Sequence, residues 1–411
     1  MSDTGFTRAQ AGRRGAGVRS DCFVVLEERG TGGIEISLES KVASMYGASI
    51  RELATQVLEV LGVECGRLVI DDKGALPFVI AARIESAVRR SSLPVHATYL
   101  CEPGPGYATT TERDRMRRSR LYLPGNEPKF FINVACHKPD AIILDLEDSV
   151  AAFEKDAARI VVRNALRSVD FGSAERMVRI NQLPLGLEDL DWIIPHNVHV
   201  VLIPKCESGE QVRAVDDRIT QIATREGLEH PIFLMPIMES ALGAIQAYEV
   251  ASASKNVVAL AVGLEDYTAD IGTERTLEGR ESFWARSQVV NAARAAGVQP
   301  IDTVFSDVAD EEGLQASVLE AKALGFEGKG CIHPRQIAVV HEAFAPSDGE
   351  VQKATRIVRA FEEAQAAGLG VVSLGTKMID PPVVKRALRT VRLAERSGKL
   401  ATGWRAEEGG E

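Results

Sequence analysis

Hydrophobic and polar positions follow a strand-and-helix pattern in the first quarter of the chain. Two β-branched runs, CFVVLEE and GIEISLES, flank a glycine-rich turn and predict two strands. IRELATQVLEVLG and LPFVIAARIESAVRR carry apolar residues at helical spacing, and the strand-like run RLVIDDKG lies between them. We therefore predict a small α+β domain over residues 21–94.

Periodicity is missing on both sides of this domain. Residues 1–20 are rich in Gly and Arg and predict a disordered arm. Residues 95–115 contain a Pro-Gly-Pro-Gly tract and several threonines, as linkers do, and we expect this stretch to be a flexible tether. Five arginines at the end of this stretch and just after it either remain solvated or bind phosphates: Arg113, Arg115, Arg117, Arg118 and Arg120.

After the linker, short apolar runs alternate with amphipathic helical stretches. Eight runs qualify as strands: SRLYLPG, AIILDLED, RMVRIN, VVLIPK, IFLMPIME, VVALAVGLED, PIDTVFSD and GKGCIHP. Eight strands that each precede a helix predict a (β/α)8 TIM barrel over residues 116–345. A doubly wound open sheet is the alternative, but no G-x-G-x-x-G follows any strand. Residues 346–411 predict a C-terminal helical extension.

Composition and charge narrow the class of protein. The 411 residues are 45% hydrophobic and 26% charged with a net charge of -10, which excludes a disordered or collagen-like chain and gives no reason to expect a nucleic acid or a membrane as partner. The six cysteines show no metal-ligand spacing. No signal peptide and no run of 18 apolar residues is apparent, so we expect a cytoplasmic protein.

Polar side chains cluster where the predicted barrel strands end. Barrel active sites lie at the carboxyl ends of the strands, so these positions are candidates. Any one of them could also form an ion pair at the rim, but their convergence favours an active site. They are Glu147, Asp148, Arg179, Lys205, Glu239, Glu265, Asp266, Asp307 and His333.

Three of these positions suggest particular chemistry. Glu239 and Asp266 end neighbouring strands, and two carboxylates are a usual protein contribution to a Mg²⁺ site. A glycosidase would use paired carboxylates too, but the three tryptophans are few for sugar binding. Arg179 could clamp a carboxylate or an enolate, or form a salt bridge to Glu147 or Asp148. Asp380 precedes Pro381 and, from spacing alone, is a helix cap.

Ordered motifs over residues 114–400 resemble the citrate lyase β-subunit, within the HpcH/HpaI aldolase and citrate lyase group. They include RRSRLYLPGN, IILDLEDSV, MESALG, GLEDYTADIGTERT, GFEGKGCIHPRQI and GLGVVSLGTKMIDPP. IDDKGAL and VIAARIESAV in the small domain resemble the citrate lyase γ-subunit, an acyl carrier protein. The chain thus resembles a carrier fused to the lyase that it serves.

The resemblance implies roles for particular residues. Glu239 and Asp266 would bind Mg²⁺, and Arg179 would bind the acyl substrate. Asp380, supplied by a neighbouring subunit, would be the catalytic acid/base, which implies a homo-oligomer based on trimers. Glu147 is a candidate for the base that takes the substrate hydroxyl proton. Positions expected to contact the thioester are Tyr122, Lys129, Ile332 and His333.

The implied reaction is a retro-Claisen cleavage of a citryl thioester, carried by an acyl carrier protein or CoA, to oxaloacetate and an acetyl thioester. The alternative is a citramalyl-CoA or malyl-CoA lyase that uses free CoA thioesters and has a vestigial carrier domain. A non-catalytic scaffold is a third reading, which the intact set of site residues argues against. The family also works with an α-subunit acyltransferase, a further expected partner.

The carrier match departs from its family at the modified serine. The family attaches phosphoribosyl-dephospho-CoA to a serine in a string like AG-T-L-E-S-S-D, and here the stretch is AGRRGAGVRSD. When Asp21 is aligned with the family aspartate, Arg19 occupies the place of the serine and Ser20 lies one residue away. Either Ser20 carries the prosthetic group or the domain has lost its modification.

Overall fold

The computed structural model describes residues 8–366, 372–374 and 377–405, without the side chains of 372–374 and 377–379. The chain divides into two compact units, Met1–Ile337 and Ala338–Glu411. Within the described residues, no helix is both long and apolar enough to cross a membrane.

The first unit begins with a four-stranded sheet and two helices. Its elements are β1 (Arg8–Gly12), β2 (Cys22–Glu28), β3 (Ile34–Ser40), α1 (Ala43–Val60), β4 (Gly66–Asp72) and α2 (Pro77–Arg89). The strand order is β1-β2-β4-β3, with β3 parallel to β4 and the other pairs antiparallel. This is the small α+β domain that the sequence predicted.

The prediction of a disordered arm is wrong for residues 8–12. These residues form the edge strand β1, which pairs with β2 over five positions from Arg8↔Glu27 to Gly12↔Phe23. Ala9 and Ala11 are buried, so the strand does alternate between inward and outward side chains. Alanine and glycine give too weak a hydrophobic signal for that alternation to stand out among the arginines.

The linker connects the two domains, but it is packed along the barrel rather than free. The amide of Gly104 donates to the carbonyl of Arg167 (2.8 Å), and the hydroxyl of Thr111 donates to Glu175 (2.5 Å). Arg113 donates to the carbonyl of Val257 (2.9 Å). The expectation of a flexible tether is therefore wrong.

Of the five arginines in and after the linker, Arg113 is exposed and Arg115 is half-buried, whereas the other three are engaged with the barrel. Arg117 is fully buried and pairs with Glu175, with Nε 2.7 Å from Oε2. Arg118 pairs with Asp140 at 2.9 Å. Arg120 is buried inside the barrel. These side chains fasten the start of the barrel to its neighbouring strands.

Eight parallel strands close into a barrel, which confirms the predicted (β/α)8 fold. They are β5 (Ser119–Pro124), β6 (Ala141–Asp145), β7 (Glu175–Arg179), β8 (Val200–Ile203), β9 (Phe233–Met238), β10 (Ala259–Val262), β11 (Gln299–Asp302) and β12 (Gly328–Cys331). The pair β12–β5 closes the ring with Cys331 opposite Leu121. Buried aliphatic and Met side chains, such as Met177, Leu202 and Ile301, fill the interior.

Helices surround the barrel in the expected alternation. They are α3 (Lys155–Ser168), α4 (Leu185–Ile193), α5 (Gly209–Glu226), α6 (Ala241–Ile245), α7 (Ala247–Ser252), α8 (Leu264–Asp270), α9 (Phe283–Ala296) and α10 (Glu311–Leu324). The next helix, α11 (Arg335–Phe344), follows β12 and continues into the second unit. Helix α5 illustrates how residues next to the ends of a helix cap it. This helix begins with a capping box between Ser208 and Gln211 and ends at Gly227, which has φ 69°.

The second unit is the predicted helical extension. It contains α12 (Asp348–Ala366), the two-stranded pair β13 (Val372–Leu374) and β14 (Lys377–Ile379), and α13 (Pro381–Arg396). The two long helices pack on each other through buried side chains that include Ile357, Val358, Val384, Val391 and Trp404.

Candidate active site

A cavity of about 350 Å³ opens at the carboxyl ends of the barrel strands. Six of the residues predicted for the site line it together, from five different strands or the loops after them: Tyr122, Arg179, Glu239, Glu265, Asp266 and Ile332. The convergence expected from the strand ends is therefore present in the fold.

Arg179 ends β7 and is held by two carboxylates. Its Nε and Nη2 each lie 2.7 Å from an oxygen of Asp145, and its Nη1 lies 2.9 Å from Oε2 of Glu147. The ring of Tyr122 lies 5.3 Å from the guanidinium carbon. Burial alone would raise the pKa of Asp145, but the hydrogen bonds and charge of Arg179 outweigh it, so that pKa is lowered. The guanidinium is thus fixed and fully charged.

Glu239 follows β9 and is buried, with only 4% of its surface exposed. Its Oε1 accepts a hydrogen bond from the amide of Lys205 (2.7 Å). Burial, and to a smaller extent the nearby carboxylates of Asp266 and Glu147, raises its pKa to about 8. An isolated carboxylate in this place is costly to ionise unless a cation approaches it.

Lys205 lies among these carboxylates. Its Nζ is 3.3 Å from Oδ1 of Asp266 and 3.6 Å from Oε1 of Glu147. Its backbone has φ 45°, a left-handed conformation that is rare for a residue with a side chain. The turn after β8 therefore aims the Lys205 amide at Glu239 and the ammonium at two other carboxylates.

The residues present fit a Mg²⁺ site. Within residues 8–366, 372–374 and 377–405, no group of three or more His, Cys, Asp and Glu side chains is arranged to hold a metal ion. The candidate donors are the carboxylates of Glu239 and Asp266, which line the same cavity, and one or two carboxylates with waters are the usual surroundings of Mg²⁺. Burial is the main cause of the raised pKa of Glu239, and a bound divalent cation would offset the cost of ionising this carboxyl.

Two contributors to the site, Lys205 and Gly263, were not assigned a role from the sequence. Lys205 was visible as the last residue of a strand-like run, yet no role followed from that position. Gly263 carried no sequence signal beyond its place in the motif GLED. In the structure, a Cβ at this position would come within 2.4 Å of Oε2 and 2.8 Å of Cβ of Glu239. Because Gly263 has no Cβ, the Glu239 carboxylate can occupy this space.

Replacing Gly263 with alanine is expected to weaken Mg²⁺ binding by about 10- to 100-fold, as does the loss of groups that orient metal ligands. The added methyl group would displace a buried carboxylate that cannot swing into solvent. Titration calorimetry with Mg²⁺ measures the effect. Gly30→Ala is the matched control, because nothing lies within 4 Å of the Cβ that it would add. Equal Mg²⁺ affinity in the two variants would show that Gly263 does not position Glu239.

The other predicted residues lie outside this lining. Lys129 occupies a turn after β5, where its Nζ is 2.6 Å from Glu127. His333 follows Ile332, and its Nδ1 accepts from the amide of Arg335 (3.2 Å). Ser20, in the small domain, has φ 56°, and its amide donates to the carbonyl of Lys73 (3.2 Å).

Asp380 belongs to the second unit and is exposed at the start of α13. Its backbone has the extended conformation of a cap residue, φ -86° and ψ 160°, and Pro381 follows as in many first turns. Its side chain, however, makes no capping hydrogen bond within the described part of the chain. The position is that of a cap, but the carboxylate is not used as one.

A closed (β/α)8 barrel with an arginine and paired carboxylates at its catalytic end defines a barrel enzyme that handles anionic substrates. Residues 118–334 match the family model for HpcH/HpaI aldolase/citrate lyase. The chain belongs to this family. Residues 7–91 match a second model, described as malonate decarboxylase delta subunit within the acyl carrier proteins.

Individual relatives agree with both the family and the fold. The citrate lyase subunit beta of Haemophilus influenzae is 44% identical over 276 residues, which cover 66% of this chain and 95% of that protein. The human mitochondrial citramalyl-CoA lyase is 35% identical over 305 residues, 71% of this chain and 90% of that protein. The solved structure of CitE from Mycobacterium tuberculosis, in complex with magnesium, acetoacetate and coenzyme A, is 31% identical with a TM-score of 0.56, and the match covers 69% of this chain and 99% of that one.

These matches confirm the resemblance found in the motifs for both parts of the chain. The enzyme class is a carbon–carbon lyase of the citrate lyase β family. The relatives of the barrel include proteins named for citrate and for citramalyl-CoA.

Proposed function

We propose that the protein cleaves a citryl thioester, bound to CoA or to a carrier arm, into oxaloacetate and an acetyl thioester. The observation that carries the proposal is the cavity in which Arg179, fixed by Asp145 and Glu147, lies in one lining with the carboxylates Glu239 and Asp266. The 44% identity to a citrate lyase subunit beta supports citryl over the alternatives. The 35% identity to a citramalyl-CoA lyase keeps citramalyl-CoA as the second candidate.

Glu239 and Asp266 would hold Mg²⁺, which supplies Lewis-acid stabilisation for the hydroxyl and adjacent carboxylate of the substrate. The fixed backbone of Lys205 holds Glu239 in place through its amide. The Lys205 ammonium, 3.3 Å from Asp266, orients the second carboxylate.

Glu147 is proposed to take the hydroxyl proton of the substrate. Burial raises its pKa, although the charge of Arg179 opposes that rise, so the carboxylate is a better proton acceptor than a solvated glutamate. As the proton leaves, the bond between the carbinol carbon and the carbon next to the thioester breaks. The hydroxyl carbon becomes the ketone of oxaloacetate, and the electron pair moves to the thioester as an enolate.

Arg179 would stabilise that enolate. Three of its five N–H groups are engaged with Asp145 and Glu147, so one hydrogen on each Nη remains for the developing oxyanion. Donors that are already fixed before the charge develops lower the barrier most. The enolate carbon then needs a proton, and we propose that Asp380 of a neighbouring copy supplies it.

An exposed apolar surface supports a homo-oligomer, which we propose to be based on trimers. Five large apolar side chains on α6, α7 and α9 are each about half exposed: Leu242, Ile245, Tyr248, Phe283 and Trp284. Helices α6 and α7 both contact α9, so these side chains lie on adjoining helices. A second copy of the chain is a partner that would cover such a surface.

Four further residues are proposed to contact the thioester, and Ser20 is proposed to carry the prosthetic arm. Tyr122 and Ile332 line the cavity and would contact the thioester, together with Lys129 and His333. Ser20 remains the candidate for a phosphoribosyl-dephospho-CoA group. An α-subunit acyltransferase would then load citrate onto that arm.

Supplying citryl-CoA, citramalyl-CoA and malyl-CoA separately, with Mg²⁺, tests the function. We expect oxaloacetate from citryl-CoA at a kcat/KM well above that for release of pyruvate or glyoxylate from the other two. Glu239→Ala is the negative control for each assay. Faster release of pyruvate would replace citryl with citramalyl-CoA as the substrate, and no release of any keto acid by the wild-type protein would refute the lyase proposal.

A further inference from the structure

The small N-terminal domain is docked on the barrel through α2. All of the side chains from Phe78 to Val88 are buried, including the charged Arg83 and Glu85. Glu85 pairs with Arg163 of the barrel helix α3, with 2.7 Å between Oε2 and Nη2 and 3.2 Å between Oε1 and Nη1. Both partners of this pair are at most 1% exposed. A buried, bidentate ion pair thus holds the small domain against the barrel.

The docked domain lies beside the catalytic end of the barrel. Arg90 binds Asp156, in the first turn of α3, at 2.6 and 2.7 Å, and α3 follows the strand that ends in Asp145. Arg83 donates to the carbonyl of Asn126 (3.1 Å), two residues beyond the end of β5. Because Asn126 and the start of α3 both follow carboxyl ends of strands, the small domain lies at the same end of the barrel as the mouth of the candidate active site.

The contact between the small domain and the barrel fixes the loop that joins β1 to β2 near this end of the barrel. Arg83 also pairs with Asp21 at 2.8 Å, which fixes the end of the loop that joins β1 to β2. This basic loop, residues 13–21, carries Arg13, Arg14 and Arg19, and all three are exposed.

Across the junction, Arg13 forms an ion pair with Glu127, in the turn after β5. The same carboxylate of Glu127 is paired with Lys129 at 2.6 Å. Four cations thus lie on or next to the basic loop, with one paired carboxylate between two of them. Such an excess of fixed positive charge at the mouth of a site attracts an anionic ligand.

We propose that the basic loop is a binding site for the phosphate groups of the CoA thioester, with Arg13 as its residue nearest to the barrel. This inference rests on the proposed function, since it names where the far end of that substrate binds. The carrier-like domain then serves as a fixed wall of the entrance. Guanidinium groups suit this role because they present paired N–H donors to phosphate oxygens.

The test is a charge-removing triple variant, Arg13→Gln, Arg14→Gln and Arg19→Gln, in the full-length protein. Titration calorimetry would measure the Kd of CoA, of dephospho-CoA and of pantetheine, which has no phosphate. We expect the variant to bind CoA about tenfold more weakly, a loss of about 1.4 kcal/mol, and to bind pantetheine as the wild type does. The control variant removes three positive charges elsewhere on the same domain: Arg29→Gln, Lys41→Gln and Arg51→Gln.

Several outcomes would overturn the site. They are a wild-type Kd for CoA in the triple variant, an equal loss of affinity for CoA and pantetheine, or an equal loss of CoA affinity in the control variant. Binding of CoA requires no turnover. A protein that binds CoA through the loop but cleaves no thioester would therefore refute the proposed function alone, and one that cleaves thioesters with an unchanged KM in the variant would refute this inference alone.

Discussion

Arg179→Lys is expected to lower kcat/KM by about 10²- to 10³-fold, the cost of losing one well-placed oxyanion donor. A lysine ammonium is a point charge and cannot span Asp145 and Glu147 while presenting further N–H groups to the substrate. Its charge would be drawn to one of the two carboxylates. Most of the loss should fall on kcat, because the interaction strengthens as the enolate forms. Steady-state kinetics with the preferred thioester measures it.

A matched control separates this effect from damage to the fold. Arg159→Lys changes an arginine of α3 that pairs with Asp189 at 2.6 Å on the outside of the barrel, away from the cavity. It should keep nearly wild-type kinetics. Thermal unfolding of both variants would reveal any gross instability. If Arg179→Lys kept kcat within a factor of three of wild type, Arg179 would not stabilise the transition state.

The barrel was predictable because its signals are local and repeated. Eight apolar runs, each followed by a helical pattern, are hard to arrange in another way, and the polar residue at the end of each run points to the same rim. Glu239, Asp266 and Arg179 could be named as candidates on that basis alone. The roles expected for them came from resemblance to a family, since spacing does not distinguish a metal ligand from a rim ion pair.

The remaining features depend on contacts between distant parts of the chain. Asp145 looked like one more acid in LDLED, and only the register of β6 against β7, which places it opposite Arg179, makes it the main partner of the guanidinium. Gly263 matters because of a side chain 24 positions earlier in the sequence. The Pro/Gly-rich linker has the composition of a tether, yet hydrogen bonds to barrel backbone atoms hold it down. The composition of a segment indicates its intrinsic flexibility, but it does not indicate which parts of the protein the segment packs against.

Glu85→Ala is expected to lower the free energy of unfolding by about 3–5 kcal/mol, because it leaves Arg163 buried without its carboxylate partner. Arg163 retains hydrogen bonds to Asn164 and to the carbonyl of Tyr99, but neither of these neutral groups offsets its charge. Equilibrium unfolding in urea, followed by circular dichroism, measures the loss. Glu52→Ala, an exposed glutamate of the same domain, should change stability by less than about 0.5 kcal/mol.

The double variant Glu85→Leu with Arg163→Met distinguishes a broken charge pair from a lost packing surface. Replacing both partners with apolar side chains removes the uncompensated charge, so most of the stability should return. A loss below about 1 kcal/mol in Glu85→Ala would show that the ion pair does not hold the two domains together. The docking of the carrier-like domain would then depend on the buried apolar side chains of α2. Strong destabilisation with recovery in the double variant would instead mean that any arm on Ser20 must reach the active site from a fixed anchor.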